Sequence, residues 1–452
     1  MASPARRIAA DVLLRVEQQG AFANLALDSG LRSAGVLEQR EAALATELVY
    51  GTLRWQPQLD RAIESHSSRP IGELDAPVRT VLRMAAFELL HHPTVPARAA
   101  VHEAVELCKE LRAGRAAGFA NAVLRRLSEV RAAPEPPSRE VDPIGHVAAI
   151  TAHPRWIVER WTTAFGAAEA ERLCQADQQL APACVRVNRS RATLEEARAI
   201  FAAQGIEATP GRFSPDALVL AAGTPPALDL DGHAEGSFQA QDEAAQLVSL
   251  FAAPRAGARV LDACAAPGGK SCHLAELVGP TGRVVAVDLH ARKAQIIAEA
   301  AARLGHAQVE ARAADATLPL PGEGPGGFDL VLADAPCSGL GTLRRHPEVK
   351  LRRSVEDVDR LAALQARLLR ALAAYVKPGG LLVYGLCTYT PEEVDENLAR
   401  FLAAHGEFKL EPPPAGWALP AAEELVDERG CLVTSPARSG TDLFFAARLR
   451  RS

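Results

Sequence analysis

Val260-Leu261-Asp262-Ala263-Cys264-Ala265-Ala266-Pro267-Gly268-Gly269-Lys270 reads as a short apolar strand, a tight turn and the opening of a helix. Four more apolar runs follow, at Val284 to Val287, Val309 to Ala311, Leu330 to Ala333 and Leu381 to Leu386, separated by helix-length segments. Strands alternating with helices predict a parallel, doubly wound α/β sheet covered on both faces. In such sheets ligands bind beyond the carboxyl ends of the strands. Here each run ends in a residue able to do chemistry. Asp262 and the loop Cys264 to Lys270 follow the first, Asp288 the second, and Asp315 lies past the third. Asp334 and Cys337 follow the fourth, and Cys387 follows the fifth.

The turn at Gly268 and Gly269 lets a ligand approach the backbone, and the helix it opens presents free N–H groups. A nucleotide P-loop needs G-x-x-x-x-G-K-[ST]; Gly269, Lys270 and Ser271 supply its tail, but Cys264 stands where the first Gly belongs. The dinucleotide fingerprint G-x-G-x-x-G is absent. Asp288, about twenty positions after the glycines, is placed to bind ribose hydroxyls. A nucleoside without phosphates, such as S-adenosylmethionine, fits this set best.

Upstream the pattern changes. From Ala5 to about Leu127 the apolar spacing is helical, as in Val78, Val81, Leu82, Ala85, Ala86 and Leu89, with Pro77 suited to a first turn. An all-helical bundle is expected over residues 1–130. Residues 131–145 hold Pro134, Pro136, Pro137 and Pro143 and read as a linker. Residues 146–240 read as a small mixed α/β accessory region, with helices around Trp156 to Phe165 and Thr193 to Gln204 and strands at Val185 to Val187 and Leu218 to Leu220. Residues 241–452 form the sheet domain.

The chain has 452 residues, 48% hydrophobic and 23% charged, with a formal charge of -5. That composition excludes wholesale disorder and a chain that binds nucleic acid by its overall charge, so any such surface is local. Eight scattered cysteines without a C-x-x-C pair disfavour a standard zinc site and fit a reducing compartment. No metal is expected. The opening residues lack a secretory apolar stretch, and no run approaches the ~18 apolar residues of a membrane span, so a cytoplasmic location is expected.

Cys108, Cys174, Cys184 and Cys431 read as small buried hydrophobes. Cys337, in Asp334-Ala335-Pro336-Cys337-Ser338-Gly339, and Cys387, just before the helix start at Pro391-Glu392-Glu393, should face the crevice instead. Two rim thiols could form a redox disulfide. Alternatively, one thiolate adds to carbon 6 of cytosine, making carbon 5 enamine-like and able to take a methyl group from a sulfonium. That route calls for an acid near the ring nitrogen, for which Asp334 is on the same rim. It also calls for a positive neighbour or a helix N-terminus to lower the thiol pKa, and Lys270 or the helix after Thr390 can serve.

These three motifs, with Cys387-Thr388-Tyr389-Thr390-Pro391-Glu392-Glu393 as the third, closely resemble the Sun family of RNA cytosine-5 methyltransferases. The helical front, with Glu47 to Leu53 and Asn121 to Leu127, is similar to the RNA-binding module of antitermination factor NusB. The resemblance implies a Rossmann-like class I methyltransferase domain behind a NusB-like bundle. It further implies 5-methylcytosine formation in small-subunit (16S) ribosomal RNA through a covalent cysteine–cytosine intermediate, with S-adenosylmethionine as cofactor. By it, Cys387 is the nucleophile, Cys337 assists release, and Asp334 completes the catalytic set. The cofactor would contact Cys264, Ala265, Ala266, Pro267, Gly268, Gly269, Lys270, Asp288, Asp315 and Asp334. Thr388, Val394 and Leu443 depart from the usual family residues without removing a group the reaction needs. Another RNA such as tRNA, or a noncatalytic assembly factor, are the competing readings; a DNA enzyme would attack with the Pro-Cys cysteine, and Cys387 tells against it.

Phosphate contacts are expected from local clusters: Arg344, Arg345, His346, Lys350, Arg352 and Arg353; Arg112, Arg115, Arg125 and Arg126; and Arg186, Arg189 and Arg191. The expected partner is ribosomal RNA or an assembly intermediate, bound by a monomer.

Overall fold

Val78, Val81, Leu82, Ala85, Ala86 and Leu89 lie on one helix, Ala76–His91, and all six are buried in the computed structural model, which describes residues 1–92, 94–415, 417 and 419–452. Full burial of each Val or Leu stabilises the bundle by about 1.5–3 kcal/mol. Five further helices, Pro4–Gln19, Ala23–Ser33, Gln39–Glu64, Ala97–Glu110 and Ala117–Val130, share this core.

Residues 131–142 carry neither helix nor strand, as their prolines require. Pro143 does not extend the linker but opens the helix Pro143–Ile150, capped by the Asp142 carboxylate, which accepts from the Gly145 N–H at 3.0 Å. Proline suits that first position, where its missing N–H costs nothing. The chain forms two compact units, Met1–Gln179 with Leu343–Arg352, and Leu180–Thr342 with Arg353–Ser452. The region 146–240 is therefore divided: helices Arg155–Phe165 and Ala167–Ala176 belong to the helical unit, and the strands to the other. Within that second unit, β1 (Ala183–Val187), β2 (Ala208–Pro210), β3 (Ala217–Leu220) and β4 (Phe238–Ala240) make an antiparallel sheet ordered β2-β3-β1-β4.

The larger sheet contains β5 (Arg259–Ala263), β6 (Arg283–Asp288), β7 (Val309–Ala313), β8 (Phe328–Asp334), β9 (Val376–Leu386), β10 (Phe408–Leu410), β11 (Leu432–Val433) and β12 (Phe445–Arg451). Its order is β10-β12-β9-β8-β5-β6-β7, with β11 on β12. The five strands expected from the sequence are parallel neighbours; β12 and β10 add an antiparallel edge, so the sheet is mixed. Strand order reverses at β5 and β8, and the register sets Ala263 beside Ala333 and Asp334 beside Gly385. The crevice of a doubly wound sheet opens at that reversal. Among the described residues, no helix is long and apolar enough to cross a membrane.

Candidate active site

The loop after β5 turns in left-handed conformations at Cys264, φ +65°, and Gly268, φ +101°. A Cβ at Gly268 would lie 3.2 Å from the Ile297 Cα, so the neighbouring helix Ala291–Leu304 and the backbone angle both call for glycine. The helix Gly269–Val278 then starts, and its first turn supplies two side chains to the crevice. Ser271 Oγ donates to Asp262 Oδ2 at 2.5 Å, and Lys270 Nζ donates to Asp334 Oδ2 at 2.7 Å.

Asp262 is fully buried, and burial raises its carboxyl to about pH 7; the Ser271 hydroxyl opposes this, while Asp334 and Asp288 add to it. Its Oδ1 is buried without a hydrogen-bond partner among the described residues. An orphaned carboxyl oxygen behind a glycine turn is a group left for a ligand or an ordered water. Burial, together with Asp334, Asp262 and Asp288, pushes the Cys264 thiol up to about 12, which keeps it protonated and unreactive at neutral pH.

Asp288 ends β6 and is buried; its Oδ1 accepts from the His290 N–H at 3.2 Å and lies 3.8 Å from Lys293 Nζ. Asp315 receives the Thr317 N–H at 2.8 Å and hydroxyl at 2.7 Å, both on Oδ1, and these bonds hold its carboxyl below the usual range. Leu289 and Leu318, 61% and 59% exposed, set bare apolar side chains next to these carboxylates. Sequence reasoning passed over both, although each follows a rim acid within three residues. Carboxylates for ribose hydroxyls, apolar side chains for a base and an orphaned acid at the glycine turn suit a phosphate-free nucleoside.

The cysteines meet. Cys337 Sγ and Cys387 Sγ are 3.2 Å apart, at the ends of the adjacent strands β8 and β9. Both are partly exposed, whereas Cys108, Cys174, Cys184, Cys272 and Cys431 are buried. The hydrogen bond from Cys387, then burial and the charges of Cys387 and Glu393, raise the Cys337 thiol far above its ordinary value, against a smaller lowering by the Gly339 N–H. Burial alone would lower the Lys270 ammonium, but Asp334, Cys387 and Asp262 reverse this and keep it charged. Its Nζ also lies 5.2 Å from the centre of the Phe444 ring, a cation–π contact on the apolar side.

Two features missing from the sequence reading hold the loops. Gly341 donates to the Cys387 carbonyl at 3.0 Å and accepts from the Leu443 N–H at 2.9 Å; a Cβ there would sit 1.9 Å from the Leu443 oxygen. Glu393 is fully buried and binds Ser338 of one loop and Thr390 of the other. Its trace in the sequence is Thr390-Pro391-Glu392-Glu393, the T-x-x-E spacing of a capping box. Burial raises the Glu393 carboxyl, with Ser338, Gln365 and Thr390 pulling it back down.

The model of the family described as 16S rRNA methyltransferase RsmB/F matches residues 249–450, that of the NusB family residues 3–129, and a ferredoxin-like domain of RsmF/B-like methyltransferases residues 153–226. A Bacillus subtilis protein named "Probable ribosomal RNA small subunit methyltransferase B" is 37% identical, over 99% of this chain and 98% of its own length. The chain belongs to the RsmB/F methyltransferase family. The ribosomal RNA small subunit methyltransferase B of Pseudomonas syringae pv. tomato is 36% identical over 91% of this chain and 90% of its own. The solved structure of PH0851 superposes over 100% of both chains with a TM-score of 0.85 at 26% identity. That of NSun6 from Pyrococcus horikoshii with SFG shares the fold over 67% of this chain and 99% of its own, with a TM-score of 0.59 at 19% identity.

The basic segment after Cys337 behaves differently from its composition in this RsmB/F chain. Lys350 is buried and donates to the Arg54 carbonyl at 2.8 Å, and burial lowers its ammonium to about 7. Arg352 binds the Gly20 and Val16 carbonyls at 3.0 and 2.7 Å, and Arg353 binds the Ser338 carbonyl at 2.9 Å. Arg344 is buried, and its carbonyl accepts from Arg54 at 2.8 Å. The side chains of Lys350, Arg352 and Arg353 fasten chain to chain. In the middle cluster, Arg186 is buried against Glu276, Arg191 is exposed but binds the Leu304 and Glu235 carbonyls at 3.1 and 2.7 Å, and exposed Arg189 lies 3.8 Å from Asp216 Oδ1. Arg112, Arg115, Arg125 and Arg126 are exposed and have no ion-pair partner among the described residues.

Proposed function

We propose that this RsmB/F methyltransferase forms 5-methylcytosine in small-subunit ribosomal RNA through a bond between Cys387 Sγ and carbon 6 of the base. The approach of two thiols to 3.2 Å beside the Lys270–Asp334 pair carries the reading. Cys387, as thiolate, adds to carbon 6 and pushes an electron pair toward the ring nitrogen. Asp334 is the acid there, with the Lys270 ammonium hydrogen-bonded to it as the proton source. Carbon 5, now enamine-like, becomes the nucleophile. S-adenosylmethionine supplies the electrophilic methyl group on its sulfonium. The ring-nitrogen proton returns to the Asp334–Lys270 pair, water takes the carbon-5 proton, the carbon–sulfur bond breaks with its electron pair returning to Cys387, and the Cys337 thiol hydrogen-bonds the departing sulfur.

Cofactor binding falls to the turn from Cys264 to Lys270, with Asp288 and Asp315 for the ribose side and Leu289 and Leu318 against the base. In this reading the helical front of residues 1–130 is the RNA-binding module, the antiparallel sheet β1 to β4 an accessory RNA-binding piece and residues 241–452 the catalytic domain, acting as a cytoplasmic monomer. A base within a duplex cannot enter a crevice, so the target cytosine is unpaired or flipped out. Incubation with labelled S-adenosylmethionine and unmodified small-subunit RNA, followed by nucleoside analysis, tests the assignment. Label is expected in 5-methylcytidine; label in 2′-O-methyl or N-methyl nucleosides would overturn it.

A further inference from the structure

With sulfurs 3.2 Å apart, Cys337 and Cys387 share one hydrogen-bonding proton, and the sulfur that carries it is not the nucleophile. The charged surroundings of the pair are lopsided. Glu393 Oε1 accepts from the Ser338 N–H at 2.8 Å and the Gln365 amide at 2.9 Å; Oε2 accepts from the Ser338 hydroxyl at 2.6 Å and the Thr390 hydroxyl at 3.1 Å. All four partners donate, and a carboxylate, which only accepts, satisfies them all. Gln365 also binds the Pro336 carbonyl at 2.9 Å, so both neighbours of Cys337 in sequence are tied to the same anchor. Tyr384 on β9 stays neutral here, its hydroxyl donating to the Glu393 carbonyl at 2.7 Å and lying 3.0 Å from Gln365 Oε1. Arg353 approaches only the Ser338 carbonyl, at 2.9 Å. Lys270, bonded to Asp334 at the end of β8, feels the charge of Cys387, and Asp262 on β5 lies behind Ser271.

We propose that Glu393 is a positioning residue that assigns the shared proton to Cys337, by fixing a carboxylate behind the Cys337 loop while the Lys270 ammonium lies on the Cys387 side. The inference rests on the reading of Cys387 as nucleophile. The electrostatics agree in direction: the charge of Glu393 is among the causes that raise the Cys337 thiol, and Cys387 is among those that raise Lys270. Cys387 then attacks carbon 6 as a thiolate and leaves as one, while the S–H bond of Cys337 stays intact throughout. No proton has to cross between the sulfurs during turnover.

The test needs no RNA. The full-length protein is treated briefly with iodoacetamide at pH 7, and alkylation of each cysteine is read by peptide mass spectrometry. In the unaltered protein Cys387 should react faster than Cys337, by about tenfold for each pKa unit that separates them. Glu393→Gln, which keeps the shape and removes the charge, should bring the two rates several-fold closer without a comparable loss in thermal melting temperature. Glu393→Asp, which keeps the charge, should hold the ratio near that of the unaltered protein. Faster reaction at Cys337 in the unaltered protein would sink the nucleophile reading and this inference with it. A Glu393→Gln ratio equal to the unaltered one would sink the inference alone. Should that variant not fold, the unaltered protein decides: Cys337 labelling must rise at higher pH than Cys387 labelling, and coincident rises would overturn the proposal.

Discussion

The rim at the strand ends and the basic segment 344–353 put their charged side chains to opposite uses. At the rim, Asp262 Oδ1 is left without a partner and the carboxylates of Asp288 and Asp315 engage only local groups, so polar capacity remains for a ligand. In the segment, Lys350, Arg352 and Arg353 are committed to main-chain carbonyls at 2.7–3.0 Å. The two regions differ in what fixes them. A strand end is held by its ladder, so its terminal side chain needs no tertiary partner. A short segment without a ladder is held by its side chains, and its cations serve as the fasteners.

Five substitutions can break or sharpen that contrast. The largest effect belongs to Cys387→Ala, expected to lower turnover on the order of 10^4-fold or more, as loss of a covalent nucleophile does, with cofactor binding retained. Cys337→Ala should instead accumulate a protein–RNA adduct, seen as a shifted band on a denaturing gel. An adduct in Cys387→Ala would show the two thiols exchanged. Next is Asp288→Ala, which should raise the cofactor KM about 10- to 100-fold with little change in kcat, the worth of one or two hydrogen bonds to a charged group. A fall in kcat alone would move Asp288 from binding to chemistry.

Lys350→Met probes the fastener. The folded ammonium sits at about 7 against an ordinary 10.5. Between those values the unfolded chain holds a proton that the folded chain does not, so stability rises with pH across the window and is lost as pH falls through about 7. Melting curves should show the unaltered protein gaining on Lys350→Met from pH 7 toward about 10. Parallel curves, joined to a loss of RNA affinity in the variant, would place Lys350 on the RNA and dissolve the contrast. The smallest effect is Arg125→Ala. An exposed arginine lacking an ion pair should contribute a few-fold in RNA affinity and about one unit of the salt slope. An unchanged slope would remove it from the interface.

Legibility in the sequence follows the same division. Strands β5, β6, β8 and β9 are short runs of Val and Leu, and the acids and thiols that follow them are adjacent in sequence, so the rim can be read without knowing any long-range contact. β12 escapes such a reading because Ala446, Ala447 and Arg448 dilute its pattern; Arg448 is nonetheless buried, donating to the Phe251 and Ala252 carbonyls at 2.7 and 2.8 Å. Glu393 looks like an ordinary capping residue, since its bond to Ser338 spans 55 residues of chain. Lys350 is indistinguishable from a solvated lysine until the carbonyl of Arg54, 296 residues away, comes into place.

Gly341 links the Cys387 carbonyl to Leu443, which leads directly into β12, and β12 lies antiparallel beside β9 from Phe445 to Arg450. The loop that carries Cys387 is thus assembled from pieces of chain that a ribosome makes far apart in time. A polypeptide still being synthesised, with residues beyond 443 inside the exit tunnel, already has the glycine turn of residues 264–270 but lacks the strand that braces the Cys387 loop. That loop can take its full set of backbone contacts only after β12 has left the tunnel.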